Sequence, residues 1–530
     1  MRKKIIVTSM VVLLCLGNIL AGCGKSEQPA QGEEKEKIET VDVGNGEETS
    51  AADTQETDRL NVFINMPWYE VDSFTGIIPE EIKKQTGVEL DVTLATDANQ
   101  LGVMIGSGDL PDLIFTDVEL DRLSNSSLCY SYSELEKEFG ASFAEKDDEV
   151  KNIGRALSAD GDYYTMLNNY STNEEMDGLK IGAPGQCCIY YRKDLMEQLG
   201  NPELNTVEDF MDVLEQCKTE FPDMVPLGLG GVWKFQWLSN WLGLEQYNAE
   251  TGEFYFDASA PKYKDFLKTT NSFARNGYVT AEAYANEIEA DSHQQAYNNE
   301  CVFYVWYISS DVIAGLNKET QKVAPEAEWN VLPRLSQTES YSAGKGWAGA
   351  FVSRSCSNPE AAAKLLTYLH SKKGAQSSMW GREGVDYEID ADGVPQFTDE
   401  FLQVRSEGRL NEVYNFRFNF GATAINEIYL LNSGLEPELL ESISTYGKTY
   451  RNYPEVAIAA PKSNSDEGVI LAKLNEIVKS YDSKTIFAAS DEEFESCYQE
   501  YMDALKQSGV EQYNSYMEQA IKDAKEILEQ

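Results

Sequence analysis

Residues 60–115, LNVFINMPWYEVDSFTGIIPEEIKKQTGVELDVTLATDANQLGVMIGSGDLPDLIF, hold three strand patterns separated by two helical ones. Leu60, Val62 and Ile64 alternate as on a half-buried strand, and a helical stretch then runs through Ile82 and stops at Gly87. A second alternation places Val88, Leu90, Val92 and Leu94 on one face. The next helix carries Leu101, Met104 and Ile105, ends around Gly106 to Gly108, and leads into Leu113, Ile114 and Phe115, an apolar run suited to a buried strand. The β-α-β-α-β order argues for an α/β sheet.

Two later helices have well-marked ends. Thr206 caps the first, with Asp209 three residues on, and Phe210, Met211, Val213, Leu214 and Cys217 line one face before Pro222. Asn358 caps the second, Pro359 suits its first position, Ala361, Leu365, Leu366 and Leu369 form the packing stripe, and Gly374 is its expected end. No repeat of fixed period occurs.

The 530 residues include 44 basic and 89 acidic ones, a formal charge of −45, which argues against nucleic acid as a partner. At the amino end, Arg2, Lys3 and Lys4 precede an apolar run from Ile5 to Leu20, too short to span a bilayer and laid out as a secretory signal. Leu20-Ala21-Gly22-Cys23 resembles the lipobox of bacterial lipoproteins, which implies a signal peptide at 1–22, cleavage before Cys23, and acylation that holds the chain on the outer face of the membrane. Residues 23–57, rich in Glu, Gly, Ser and Thr, read as an acidic flexible tether. Seven cysteines remain beyond Cys15 and Cys23, an odd number without CxxC spacing, and buried free thiols are expected of them.

Several segments together resemble the extracellular solute-binding proteins, family 1, the carbohydrate-associated lipoproteins of Gram-positive ABC importers. Ser107-Gly108-Asp109-Leu110-Pro111-Asp112-Leu113-Ile114 is similar to the family's third-strand segment, and Tyr190-Tyr191-Arg192-Lys193-Asp194-Leu195 with Leu199-Gly200 to its interlobe crossover. Asn358-Pro359-Glu360-Ala361-Ala362 and the amphipathic stretch from Asp491 to Met517 add support. The resemblance implies a two-lobed, periplasmic-binding-protein-like fold of type II, with an interlobe hinge and a ligand cleft. Lobe 1 would comprise residues 58–187 and about 341–400; lobe 2 would comprise 188–340 and about 401–530, including the C-terminal helices. It also implies an oligosaccharide or other small solute as ligand, and ABC permease subunits with a cytoplasmic ATPase as partners.

A sugar presents apolar C–H faces and a polar rim, so its cleft calls for aromatic platforms beside hydrogen-bonding groups. Trp68 and Tyr69 follow the first strand, and Thr116 and Asp117 follow the third, where open α/β sheets bind ligands. Trp233, Trp237 and Trp241 recur four apart; core burial is expected of the last two, while Trp233, beside Gly230-Gly231, is a cleft candidate. Trp306 resembles the family segment that places an aromatic at the ligand, although Tyr304 and Val305 replace the usual small residues. Trp347 and Trp380 sit in glycine-containing settings that suit either an exposed indole or simple packing. Arg382 and Glu383 can hydrogen-bond a sugar or form a surface salt bridge.

No catalytic residues, cofactor or metal are expected. Only His293 and His370 are present, and His370 is read as a favourable charge near a helix C-terminus. Asp390-Ala391-Asp392-Gly393 starts like a calcium loop but lacks the later ligands, and an Asx-Gly turn accounts for it. The chain contains no GxSxG, Walker A or HExxH motif. A non-enzymatic capture protein is favoured over two rivals, an oligopeptide-binding importer subunit and a secreted glycan-acting enzyme with a carboxylate pair.

Overall fold

A computed structural model describes residues 57–69, 71–97, 99–231, 234–286, 293–336, 338–462 and 465–529. The expected signal, Cys23, nearly all of the tether and Trp233 lie outside the described residues. Among the described residues no helix is long and apolar enough to cross a membrane.

The chain opens with β1 (Asp58–Ile64), β2 (Val88–Leu94), β3 (Leu113–Thr116) and β4 (Cys129–Tyr130). Helices Ile77–Thr86 and Gln100–Ser107 are the crossovers, so β1 pairs in parallel with both β2 and β3. The chain then builds β5 (Cys187–Arg192), β6 (Val225–Leu229), β7 (Cys301–Tyr307) and β8 (Trp329–Val331), a second sheet in the order β6-β7-β5-β8. After β9 (Ser340–Ser342) it returns with β10 (Gly349–Ser353), which runs antiparallel between β3 and β4 and completes the first sheet, β2-β1-β3-β10-β4. A hairpin, β11 (Tyr387–Ile389) and β12 (Pro395–Phe397), follows, and β13 (Tyr450–Asn452) pairs in parallel with β9.

Each sheet is covered on both faces, and the side-chain alternation of its strands sorts residues between two cores. Leu60, Val62, Ile64, Leu113 and Phe115 enter one core of the first sheet, while Phe63, Ile114 and Phe351 enter the other. In the second sheet Cys187, Ile189 and Val305 face one core, and Cys188, Tyr190 and Trp306 face the opposite one. All seven described cysteines are free, and all but Cys497 are buried.

The helix predicted to run to Gly374 ends instead at His370. Ser371 then caps a new helix, Lys372–Trp380, by accepting from the Gly374 N–H at 3.0 Å. Gly374 is needed at this corner for space, because a Cβ there would lie 1.7 Å from the Tyr368 carbonyl oxygen. His370 is not a solvent-facing charge. It is buried at 2 % exposure against Tyr132 and Phe143, and burial, assisted by Lys146, holds its pKa well below the ordinary histidine value.

Residues 401–430 also depart from the expected division. Phe401, Leu410, Phe418, Phe420 and Leu430 join the core of the first sheet, because the chain stays on that lobe after the hairpin. It rejoins the second lobe at helix Pro437–Gly447, whose Ile443 and Tyr446 pack with Tyr190 and Trp329. The C-terminal helices Asp466–Ile486, Asp491–Gln507 and Val510–Leu528 cover the second lobe, and the Leu528 carbonyl accepts from Asn152 Nδ2 of the first at 3.0 Å.

Candidate functional site

The antiparallel insertion of β10 brings its amino end to the same sheet edge as the carboxyl ends of β1 and β3. Trp68, Phe115 and Trp347, from three separate stretches of chain, therefore converge at one edge. After β1, Met66-Pro67-Trp68-Tyr69 forms a turn closed by the Tyr69 N–H to the Met66 carbonyl at 2.9 Å, with Pro67 in the position where its fixed φ is favourable. The turn swings Trp68 outward, leaving it 59 % exposed, with its ring centre 5.9 Å from that of Trp347 and 5.5 Å from that of Tyr69.

Tyr69 supports the platform from below. It is buried, with its hydroxyl 2.8 Å from both the Arg417 carbonyl and Asn419 Oδ1, and the Arg417 guanidinium lies 5.2 Å from its ring centre. Thr116 is fully buried; its hydroxyl accepts from Asn65 Nδ2 at 3.2 Å and donates to the Val118 carbonyl at 3.0 Å. It thus ties the ends of β1 and β3 together rather than facing solvent. Asp117, next along, is half-buried.

The second lobe handles its aromatic residues differently. Trp306, near the end of β7, is 1 % exposed, with its ring centre 4.4 Å from that of His293. Gly230 closes over it: a Cβ there would lie 2.3 Å from Trp306 Cε3 and 2.1 Å from the Val305 oxygen. Trp237 and Trp241 meet edge-on, 4.7 Å between ring centres, inside the core as their spacing predicts. Trp380 is also buried, donating its indole N–H to the Asn426 carbonyl at 2.8 Å, so packing describes it. Arg382 forms a two-pronged salt bridge with the buried Asp386, at 2.8 and 2.9 Å, while Glu383 is exposed. Asp390 Oδ1 accepts from the backbone N–H groups of Asp392 and Val394, an Asx turn at the tip of the hairpin.

A chamber that sequence reasoning missed lies in the second lobe, beside the interlobe connection. It is open to solvent on one side and holds about 510 Å³ among Lys234, Phe235, Asp257, Tyr263, Tyr341 and Asp482, with further polar and aromatic groups around them. Asp482 accepts hydrogen bonds from the Tyr263 and Tyr501 hydroxyls at 2.6 and 2.9 Å. Burial raises its carboxyl above the usual carboxylate range, although those hydroxyls and Lys234 pull the other way. Lys234 lies 4.4 Å from the Tyr284 ring centre. The one local signal was Lys234-Phe235 just beyond Gly230-Gly231; Asp257, Tyr341 and Asp482 are too far apart in sequence to be joined by any spacing rule. Tyr341 stands six residues before Trp347 on one strand of chain, so chain reach caps the separation of chamber and platform there at about 20 Å.

The family model described as bacterial extracellular solute-binding protein matches residues 67–376. Lipoprotein LipO of Bacillus subtilis (strain 168) is 23% identical over 284 residues, 50% of this chain and 49% of LipO, so the chain spans about half the length of that curated relative. Three solved structures are similar in fold. The alginate-binding protein AlgQ2 without calcium ion superposes with TM-score 0.62 at 17% identity, covering 88% of this chain and 99% of its own. The S. pneumoniae ABC-transporter substrate-binding protein FusA in complex with kestose gives 0.60 at 17%, covering 88% and 99%. A human-milk-oligosaccharide-binding, ABC-transporter-associated solute-binding protein from Bifidobacterium longum infantis gives 0.61 at 14%, covering 88% and 98%.

Proposed function

Because the chain belongs to the bacterial extracellular solute-binding protein family, we propose that it captures a carbohydrate, an oligosaccharide, between its two lobes and delivers it to an ABC importer. The observation that carries this reading is the exposed indole of Trp68, held beside Trp347 on a buried tyrosine at the ligand-binding edge of an α/β sheet. An apolar face presented to water and backed by Arg417 suits a sugar ring better than a wholly apolar solute. Sugars bound by two of the fold's relatives, kestose and human milk oligosaccharides, agree with this class.

Capture works through differential contact. A ligand seated on the platform gains further contacts only when the second lobe approaches, so it stabilises the closed arrangement, and closure is what permease subunits can read. The segment that returns the chain to the first lobe carries β9, and its parallel pairing with β13 of the second lobe gives the pivot a defined register.

The same reading places the protein on the outer face of the cell membrane, held by lipid on Cys23, as the match to a lipoprotein supports. Cys23→Ser should release the protein into the medium; membrane retention of that variant would remove the anchor from the proposal. For the ligand, calorimetric and tryptophan-fluorescence titration of the full-length Cys23→Ser chain against oligosaccharides and peptides is the test. Saturable sugar binding without turnover supports capture. Binding of peptides alone, or cleavage of a glycan, overturns it.

A further inference from the structure

The chamber of the second lobe has an unbalanced charge. Its charged lining groups among the described residues are Asp257, Asp482 and Lys234. Asp482 is already engaged by two tyrosine hydroxyls. Asp257 is different: the residue reaches solvent while its carboxyl is set among surrounding protein, and that carboxylate accepts no hydrogen bond from any described residue. The protein packed around its carboxyl and, after that, the like charge of Asp482 push its pKa up to about 7. Lys234 stands over the Tyr284 ring and weighs on Asp482 rather than on Asp257.

We propose that this chamber is a subsite for a protonated amine on the captured ligand, so that the oligosaccharide contains an amino sugar; the inference rests on the carbohydrate-capture reading above. The partly exposed aromatic walls supplied by Phe266, Tyr284 and Tyr341 accept the apolar face of a sugar ring, and Asp257 supplies the charge-assisted acceptor for its ammonium. A uronate would bring a third carboxylate to the pair and is disfavoured by the same electrostatics. A neutral sugar would leave Asp257 without a counter-charge of its own, since Lys234 acts on Asp482. A metal ion fits less well, since no group of three His, Cys, Asp or Glu side chains among the described residues is placed to hold one.

The test uses calorimetry at neutral pH on the full-length Cys23→Ser chain with three simple probes, glucosamine, glucose and glucuronate. It is repeated in Asp257→Asn, a substitution that breaks no protein hydrogen bond and whose folding circular dichroism checks. Glucosamine should bind at least about tenfold more tightly than glucose, with glucuronate weakest, and Asp257→Asn should bring glucosamine and glucose level. Equal binding of the first two probes overturns the amine subsite, as does a preference that survives Asp257→Asn. Calcium-induced thermal stabilisation that the variant loses also overturns it, in favour of a cation site. If all three probes are silent while an oligosaccharide still binds, the subsite falls and capture stands; if no saccharide of any kind binds, both fall.

Discussion

The two lobes each end a sheet in tryptophan and use it in opposite ways. At the edge of the first sheet the Pro67 turn throws Trp68 into solvent, and Trp347 and Tyr69 brace it. At the corresponding end of β7 in the second lobe, Trp306 is roofed by Gly230 and flanked by His293, while Trp237 and Trp241 fill the core behind. Residue type alone therefore says little about a sugar platform. The local backbone decides: a proline-directed turn exports an indole, and a missing Cβ lets the chain close over one.

That contrast is broken first by stability. Trp237→Ala removes a fully buried indole that packs on Trp241, Phe210 and Phe273, and it should cost about 3–5 kcal/mol in denaturant unfolding. Trp68→Ala should shift the same unfolding curve by no more than about 0.5 kcal/mol, as for other exposed sites. Comparable losses in both variants would mean that Trp68 is a packing residue and would dissolve the comparison.

Binding should reverse the order. Trp68→Ala should weaken the best saccharide ligand by about 2 kcal/mol, close to thirtyfold, as expected for an aromatic anchor at the centre of a contact. Residual folded Trp237→Ala protein should bind within a few-fold of the parent, since its indole is enclosed in the core. Titration by calorimetry measures both, and an unchanged affinity in Trp68→Ala would remove the platform from the site.

Much of the fold was legible in the sequence because many of its elements are built from local signals. The alternations in 60–115, the Thr206 capping box and the Asn358 cap with Pro359 each rest on contacts within a few residues, and each appears where its spacing placed it. The site was legible only in part. Trp68 and Tyr69 share a turn, and Trp347 joins them through the antiparallel return of β10, which the resemblance implied as a segment but which no spacing rule aligns with β1. Asp257, Tyr341 and Asp482 meet only through the C-terminal helix Asp466–Ile486 folding back on the second lobe, a contact without a local trace. Gly374 misled for a physical reason: glycine was read as a helix stop, whereas here it is the space that lets one helix turn directly into the next.

The last difference between the lobes is in titration. The first core contains His370, enclosed by Tyr132 and Phe143 and held uncharged by burial and by Lys146. The unfolded chain binds a proton there below about pH 6.5, while the folded chain does not until its much lower pKa is reached. The native state's advantage from this residue is thus whole at neutral pH and declines as pH falls through 6.5, approaching about 1.4 kcal/mol per pH unit once the unfolded histidine is charged. His370→Leu should remove that increment of slope between pH 6.5 and 5, read as the pH dependence of the urea midpoint, and leave the dependence above pH 7 as it was. Identical slopes in parent and variant would mean that the folded histidine takes up its proton as readily as the unfolded one. The core of the first lobe would then admit water at the helix corner beside Ser371, and its contrast with the enclosed tryptophan core of the second would be larger than burial alone describes.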